Sequence, residues 1–233
     1  SSITFEAFVI FFGRERVLEA NYYFGEKIPV WRVAGRISRG EHDLAPIVVT
    51  IPEGYTNKEM AEVFTKKLPN FNKAEFLSET GALEGYLFPD TYFFAGEDGT
   101  SVAILAMTEN FNKKIKILQP DIQKSGKTEK DIIVMASIIE GEAKGEDDRA
   151  VISGILWRRI KIGMPLQADA APVTYKIRGL PKAPINNPGR AAIVAAIYPK
   201  DTQYLYYLHD DKGVIHYAKT YNEHLKNISK YLK

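Results

Sequence analysis

The chain has 233 residues, with 31 Lys and Arg against 29 Asp and Glu, 45% hydrophobic residues and no cysteine. A chain of this length and composition folds around a real core, and its formal net charge of +2 gives no electrostatic reason to expect a nucleic-acid partner. Disulfide scaffolds and thiolate metal sites are excluded, and no apolar run is long enough to span a membrane.

"FEAFVIFFG" near the start is too short to cross a bilayer and reads as a strand, following an anchor cut away from this chain. "ANYYFGEKIPVWRVAGRISRG" (20–40) then reads strand, turn, helix, glycine stop. "IVVTIPEGYTNKEMAEVFTKKL" (47–68) repeats that order. Val48, Val49 and Ile51 form its strand and Pro52-Glu53-Gly54 its turn. Thr56 and Glu59 make a capping box, and Met60, Val63 and Phe64 supply one apolar stripe. Two βα units packing a small core explain the pattern, and spacing favours that over a carbohydrate-binding LysM-like module.

The middle is helical over "NKAEFLSET" and "VAILAMTENFNKKIKIL". Its basic clusters, Lys66-Lys67 and Lys113-Lys114-Lys116, read as solvated faces. Between these helices "LEGYLFPDTYFF" (83–94) is broken by Gly85 and Pro89. It sets aromatic rings beside Glu84, Asp90 and Thr91. Apolar sugar faces stack on rings while polar groups take the hydroxyls, so the stretch is either a sugar-binding loop or a loop with buried aromatics.

"MASIIEGEA" (135–143) belongs to the next helix, capped by Thr128 with Asp131 three residues on. Ile132, Met135, Ala136 and Ile139 share one face, and Ile133, Ser137 and Glu140 the adjacent one. Glu140 thus stands in the last turn of an apolar helix, at the negative end of its dipole. That position and burial both disfavour its ionised form, as a general acid near neutral pH requires. The alternative is an exposed terminal Glu, or one paired with Arg149 or Arg158.

A second helix runs through "EDDRAVISGILWRRIKIG" and stops at Gly163. "MPLQADAAPVTY" is a loop holding Gln167, Asp169 and Tyr175. In "NNPGRAAIVAAIYP" Asn187 falls at an N-cap and Pro188 at the first helical position. "QYLYYLHDDKGVIHYAKT" is a hairpin around Asp211-Lys212-Gly213, and a last helix opens at a Thr220–Glu223 capping box. No phosphate-cradling glycine motif or nucleophile elbow is present. The four histidines, at 42, 209, 216 and 224, lack metal-ligand spacing. The chemistry left is carboxylate chemistry.

"VTIPEGYT", "LEGYLFPDTY", "MASIIEGEA", "VISGILWRRIKIGMPLQAD", "GLPKAPINNPG", "AAIVAAIYP" and "YLYYLHDDKGVIHYAKTYNEHLKNI", in that order, resemble the endolytic murein transglycosylases (the MltG or YceG-like family). The resemblance covers most of residues 20–228. It implies an α+β fold, with LysM-like βα units over 1–80 and, over 81–233, a mixed helical catalytic subdomain with a C-terminal β-hairpin. It implies lytic cleavage of peptidoglycan glycan strands at the bond from N-acetylmuramic acid to N-acetylglucosamine, leaving 1,6-anhydro ends. Glu140 maps to the family's catalytic acid/base, and Glu84, Tyr86, Asp90, Thr91, Tyr92, Glu142, Gln167, Asp169 and Asn187 map to its substrate-binding cleft. No metal or organic cofactor is implied. The expected setting is a single-pass protein of the plasma (inner) membrane, anchored by an N-terminal segment absent from this chain, with its catalytic part on the extracytoplasmic side. Peptidoglycan synthases (penicillin-binding proteins) are the implied partners.

Two features depart from that family. Only residues 176–178 separate Tyr175 from Gly179, where several tens are usual, and "DAAPVTY" stands where Asp-Pro-Thr-Val is usual. Two rival readings remain: a hydrolytic muramidase using Glu140 with Asp90 or Asp169, and a non-catalytic wall-binding protein.

Overall fold

The computed structural model describes residues 2–11, 22, 24, 27–40, 46–145 and 148–232. Residues 2–11 form helix α1 (Ser2–Phe11), not the expected strand. A short continuous apolar run fits either state, and its neighbour decides between them. Here α1 packs on α2 (Val30–Arg39) and buries Val9. Gly40, at φ 71, ends α2 as expected. Tyr22, Phe24 and residues 27–29 are not in a strand, and the rest of the strand expected there lies outside the described residues.

The second unit is closed by a strand from further along the chain. β1 (Ile47–Thr50) leads into α3 (Asn57–Lys67), whose Thr56–Glu59 capping box is complete in both directions. Asn72 caps α4 (Lys73–Glu79), accepting from the N–H groups of Ala74 and Glu75 at 3.0 and 3.2 Å. β2 (Thr91–Phe94) then pairs antiparallel with β1, Val49 opposite Tyr92 and Ile47 opposite Phe94. The end of "LEGYLFPDTYFF" is therefore strand rather than loop. One face of this two-stranded sheet buries Val49, Tyr92 and Phe94; the other leaves Val48 and Phe93 exposed. Beneath the buried face, Phe64 meets the rings of Phe71, Phe76 and Phe94 at 5.3, 6.0 and 5.8 Å between centroids.

α5 (Thr100–Lys124) joins two cores. Its Ala103 and Met107 pack with Phe64, Phe76 and Phe94, while Phe111, Ile115, Leu118 and Ile122 belong to the second core. At the centre of that second core runs α6 (Glu129–Glu142), capped by Thr128, with residues 132–139 all buried. A helix apolar on every side is stable only when enclosed. α7 (Asp148–Lys161) and α8 (Arg190–Ile197) enclose it, together with the loop before α8. Each fully buried isoleucine of α6 contributes about 2 kcal/mol relative to exposure.

The expected loop over "MPLQADAAPVTY" ends in a 3-10 turn (Pro172–Tyr175). β3 (Tyr206–His209) and β4 (Ile215–Ala218) make the expected hairpin, turning through Gly213 at φ 79. α9 (Tyr221–Tyr231) opens at the complete Thr220–Glu223 capping box. Asn187 is not an N-cap: α8 begins at Arg190 with Gly189 before it. The Asn187 side chain is drawn away by partners distant in sequence. Among the described residues no helix is long and apolar enough to cross a membrane.

Candidate active site

Glu140 lies in the last turn of α6, its side chain 7% exposed. A carboxylate so enclosed needs compensation, and two donors supply it. Nη2 of Arg149, from the first turns of α7, donates to Oε1 at 3.2 Å, and the N–H of Gly189 donates to Oε2 at 3.0 Å. The pairing with Arg149 is one of the two alternatives that spacing left open. From the opposite side Gly54 closes in: a Cβ built there would stand 3.3 Å from Glu140 Cγ. Gly54 adopts φ 78, a left-handed conformation that other residues rarely take.

Asn187 holds this arrangement together from beneath. It is fully buried. Its Oδ1 accepts from the N–H groups of Gly85 and Leu87 at 2.9 and 3.0 Å. Its Nδ2 donates to Tyr55 O, Asn57 Oδ1 and Glu84 Oε1 at 3.0, 2.8 and 2.9 Å. Its backbone N–H donates to Tyr55 O, and its carbonyl accepts from the N–H of Gly54. One side chain thus ties "IPEGYTN", "LEGYLFPDTY" and "NNPG" together. Above it, Ser137 of α6 takes the N–H of Ile185 at its Oγ and the side-chain amide of Asn186 at its carbonyl.

Glu84 sits at the start of α3, accepting from the N–H of Asn57 at 3.1 Å. Burial pushes its carboxyl up to about 7, the Asn57 N–H opposing and the Glu59 charge adding to the rise. A cleft of about 490 Å³ opens beside it, lined by Tyr86, Lys130, Lys182 and Pro184 among others. Tyr86 stacks edge-on against Phe111 at 5.2 Å.

The remaining expected residues fall into two other groups. Burial raises Asp90, but Asn110, the N–H of Thr91 and Lys114 together hold its carboxyl below the usual range. Asn110 also reaches the Tyr92 hydroxyl at 3.2 Å, and burial pushes that hydroxyl up to about 12. Thr91 is exposed on the outer face of the β1–β2 sheet, its hydroxyl 2.9 Å from that of Thr50.

Glu142 turns toward a third group. It accepts from the N–H of Ala170 at 2.8 Å and the Tyr207 hydroxyl at 2.7 Å. Asp169 accepts from Tyr175 at 2.5 Å, and that bond lifts the Tyr175 hydroxyl to about 12. Gln167, at φ 48, is the non-glycine residue with a left-handed backbone among the described residues. With Glu142, Tyr175, Tyr207 and Arg159 it lines a pocket of about 210 Å³.

Glu140, Glu84 and Asn187 therefore meet through residues 54–57 and 187–189, whereas Asp90 and Asp169 are committed to other partners. Sequence reasoning missed Gly54, Asn57 and Gly189 around the carboxylates, and Asn110, Arg159 and Tyr207 in the other groups. The Pro-Glu-Gly turn and the Asn-Pro-Gly stretch were the available signals. Among the described residues no group of His, Asp and Glu is arranged to hold a metal ion.

The model of the YceG-like family matches residues 1–172 and 173–230, and the chain belongs to that family. The endolytic murein transglycosylase of Bacillus subtilis is 34% identical over 173 residues, covering 64% of this chain and 48% of that protein. The endolytic murein transglycosylase of Streptococcus pneumoniae is 24% identical over 79% of this chain and 44% of its own length. This chain thus spans less than half the length of these relatives. The 2.6 Å crystal structure of a yceG-like protein from Listeria monocytogenes superposes with a TM-score of 0.72 at 27% identity, over 97% of this chain and 90% of that one.

Proposed function

We propose that this chain is the extracytoplasmic part of an endolytic peptidoglycan lytic transglycosylase, with Glu140 as its general acid/base. The observation that carries the reading is the seating of Glu140: a carboxylate at the end of an enclosed helix, oriented by Arg149 and the Gly189 N–H. Family membership and the names of the relatives support it.

Protonated Glu140 donates its proton to the glycosidic oxygen between N-acetylmuramic acid and N-acetylglucosamine. Before that transfer one carboxyl oxygen carries the O–H while the other accepts from Arg149 or Gly189. The resulting carboxylate takes the proton of the muramyl 6-hydroxyl, whose oxygen closes on C1 as the glycosidic bond breaks. The product is a 1,6-anhydro end. Ordinary glycosidases need a second carboxylate to attack or to activate water. Here the nucleophile is part of the substrate and already in place, so one carboxylate suffices and no cofactor is called for. The substrate-binding positions are Glu84, Tyr86, Asp90, Thr91, Tyr92, Glu142, Gln167, Asp169 and Asn187, with Asn187 acting through the residues it positions.

The β1-α3-α4-β2 order, with its antiparallel strand pair, supports a LysM-like glycan-binding unit ahead of the catalytic part. An N-terminal anchor holds the enzyme at the outer face of the plasma (inner) membrane. There it cuts nascent strands, sets their length and works beside the peptidoglycan synthases.

Mass spectrometry of products from purified glycan strands tests the reading. Wild-type products one water lighter than hydrolysis yields, absent with Glu140→Gln, are the expected result. Hydrated ends would turn the reading to a muramidase, and no cleavage to a binding protein.

A further inference from the structure

Arg159, in the last turn of α7, is 5% exposed. Its Nε donates to Leu205 O at 2.7 Å and its Nη1 to Leu166 O. Both acceptors are neutral carbonyls. Among the described residues no carboxylate forms an ion pair with Arg159, and Nη2 has no acceptor. An enclosed cation without an anion is costly. Arg159 lines the pocket of about 210 Å³ described above, and Nη2 is the nitrogen left to serve it.

The walls of that pocket are aromatic. The rings of Tyr206 and Tyr221 lie 5.8 Å apart, and His224 stacks on Tyr206 at 5.3 Å. Tyr206 also stands 5.3 Å from the guanidinium carbon of Arg159. Such walls exclude water and strengthen a pairing of charges within them. Glu142 supplies a carboxylate whose oxygens each hold one donor, the Ala170 N–H and the Tyr207 hydroxyl, and keep lone pairs for a further N–H. A guanidinium fork for a carboxylate beside an acceptor for N–H groups suits the end of a peptide. Glycan itself, with hydroxyls and acetamido groups, offers no anion for Arg159.

The placement fits a branch off the glycan. Glu142 follows Glu140 by two residues, about 200° round the helix axis, so the two side chains leave the end of α6 on opposite sides. The volume falls below the roughly 300–1,000 Å³ of pockets that enclose larger ligands. It holds one end of a peptide rather than a length of sugar strand.

We propose that the Arg159 pocket binds the peptide stem that branches from muramic acid, with Arg159 taking a free carboxylate of that peptide and Glu142 an N–H. The inference rests on the peptidoglycan reading above and extends it from the strand to its side branch.

Titration calorimetry of this chain with the free stem tetrapeptide, and with the same peptide after its carboxylates are converted to primary amides, tests it. The acid peptide is expected to bind wild type, and the amide at least about tenfold more weakly, as the loss of a hydrogen bond between charged groups implies. Arg159→Gln should bring the two affinities together. Arg159 also ties Leu166 to Leu205, so that variant can fail to fold; Tyr221→Ala, at a ring 57% exposed, keeps the test open and should weaken the acid peptide by about threefold or more. Equal affinities of acid and amide for wild type, or an unchanged affinity in Tyr221→Ala, overturn the assignment. N-acetylmuramic acid binding as well as the peptide would also overturn it, because its own lactyl carboxylate would then be the anion. A chain that cuts glycan strands but does not bind the acid peptide overturns this inference alone. One that binds the peptide but cuts no strand overturns the cleavage reading and leaves the pocket standing.

Discussion

Asn187 Nδ2 donates to Glu84 Oε1 at 2.9 Å, joining residues 103 apart in the chain. The bond is one strand of a knot that seats the N-terminal unit against the helix carrying Glu140. Asn187→Ala would leave the buried N–H groups of Gly85 and Leu87 without their acceptor. Each stranded group costs about 1–3 kcal/mol, so urea denaturation should show a loss of about 2–5 kcal/mol. An unchanged midpoint would mean that the knot carries no stability.

The Glu84 carboxyl gives stability a pH dependence of definite sign. Its value rises from 4.5 to about 7 on folding, chiefly through burial. The folded state therefore favours the protonated form. This contribution is fully present below 4.5 and disappears as pH rises through 7. Between those limits the Tm of wild type should fall relative to that of Glu84→Gln, in which the group does not titrate. Parallel pH profiles for the two proteins would contradict this.

Arg149 is the cation that faces Glu140, with side chains 16% and 7% exposed. Arg149→Ala strands an enclosed carboxylate that, among the described residues, keeps the Gly189 N–H. Breaking one partner of such a pair costs about 3 kcal/mol, and glycan cleavage should fall with it. Glu140→Gln behaves differently. Its amide must turn an N–H toward one of the two donors, which costs about 1–2 kcal/mol, while cleavage is abolished. Comparing urea midpoints and product yields for the two variants checks both expectations.

Gly54→Ala tests the turn itself. At φ 78 a side chain is strained, and its Cβ would press on Glu140 Cγ at 3.3 Å. A cost of about 1–2 kcal/mol follows, with a fall in kcat as the carboxyl group is pushed aside. Full activity in the variant would show that Glu140 tolerates displacement.

Where the sequence determined an element, the cause lay within a few residues. The Thr56–Glu59 and Thr220–Glu223 boxes close between neighbours on one turn. Gly40, Gly163 and Gly213 take left-handed backbone where the chain has to stop or turn. An apolar helix ending in Glu140 was readable from periodicity and composition, and the ordered motifs pointed to the family. What only tertiary structure decided depends on partners far along the chain. α1 is a helix because α2 lies beside it. β2 is a strand because β1, 41 residues earlier, presents the edge it pairs with. Asn187 looked like a cap because Asn before Pro-Gly suits one locally; its groups are instead taken by residues 54–57 and 84–87. Hydrogen bonds and close packing between distant segments form only once the chain has folded, so sequence fixes which residues carry the chemistry and the fold decides which of them meet.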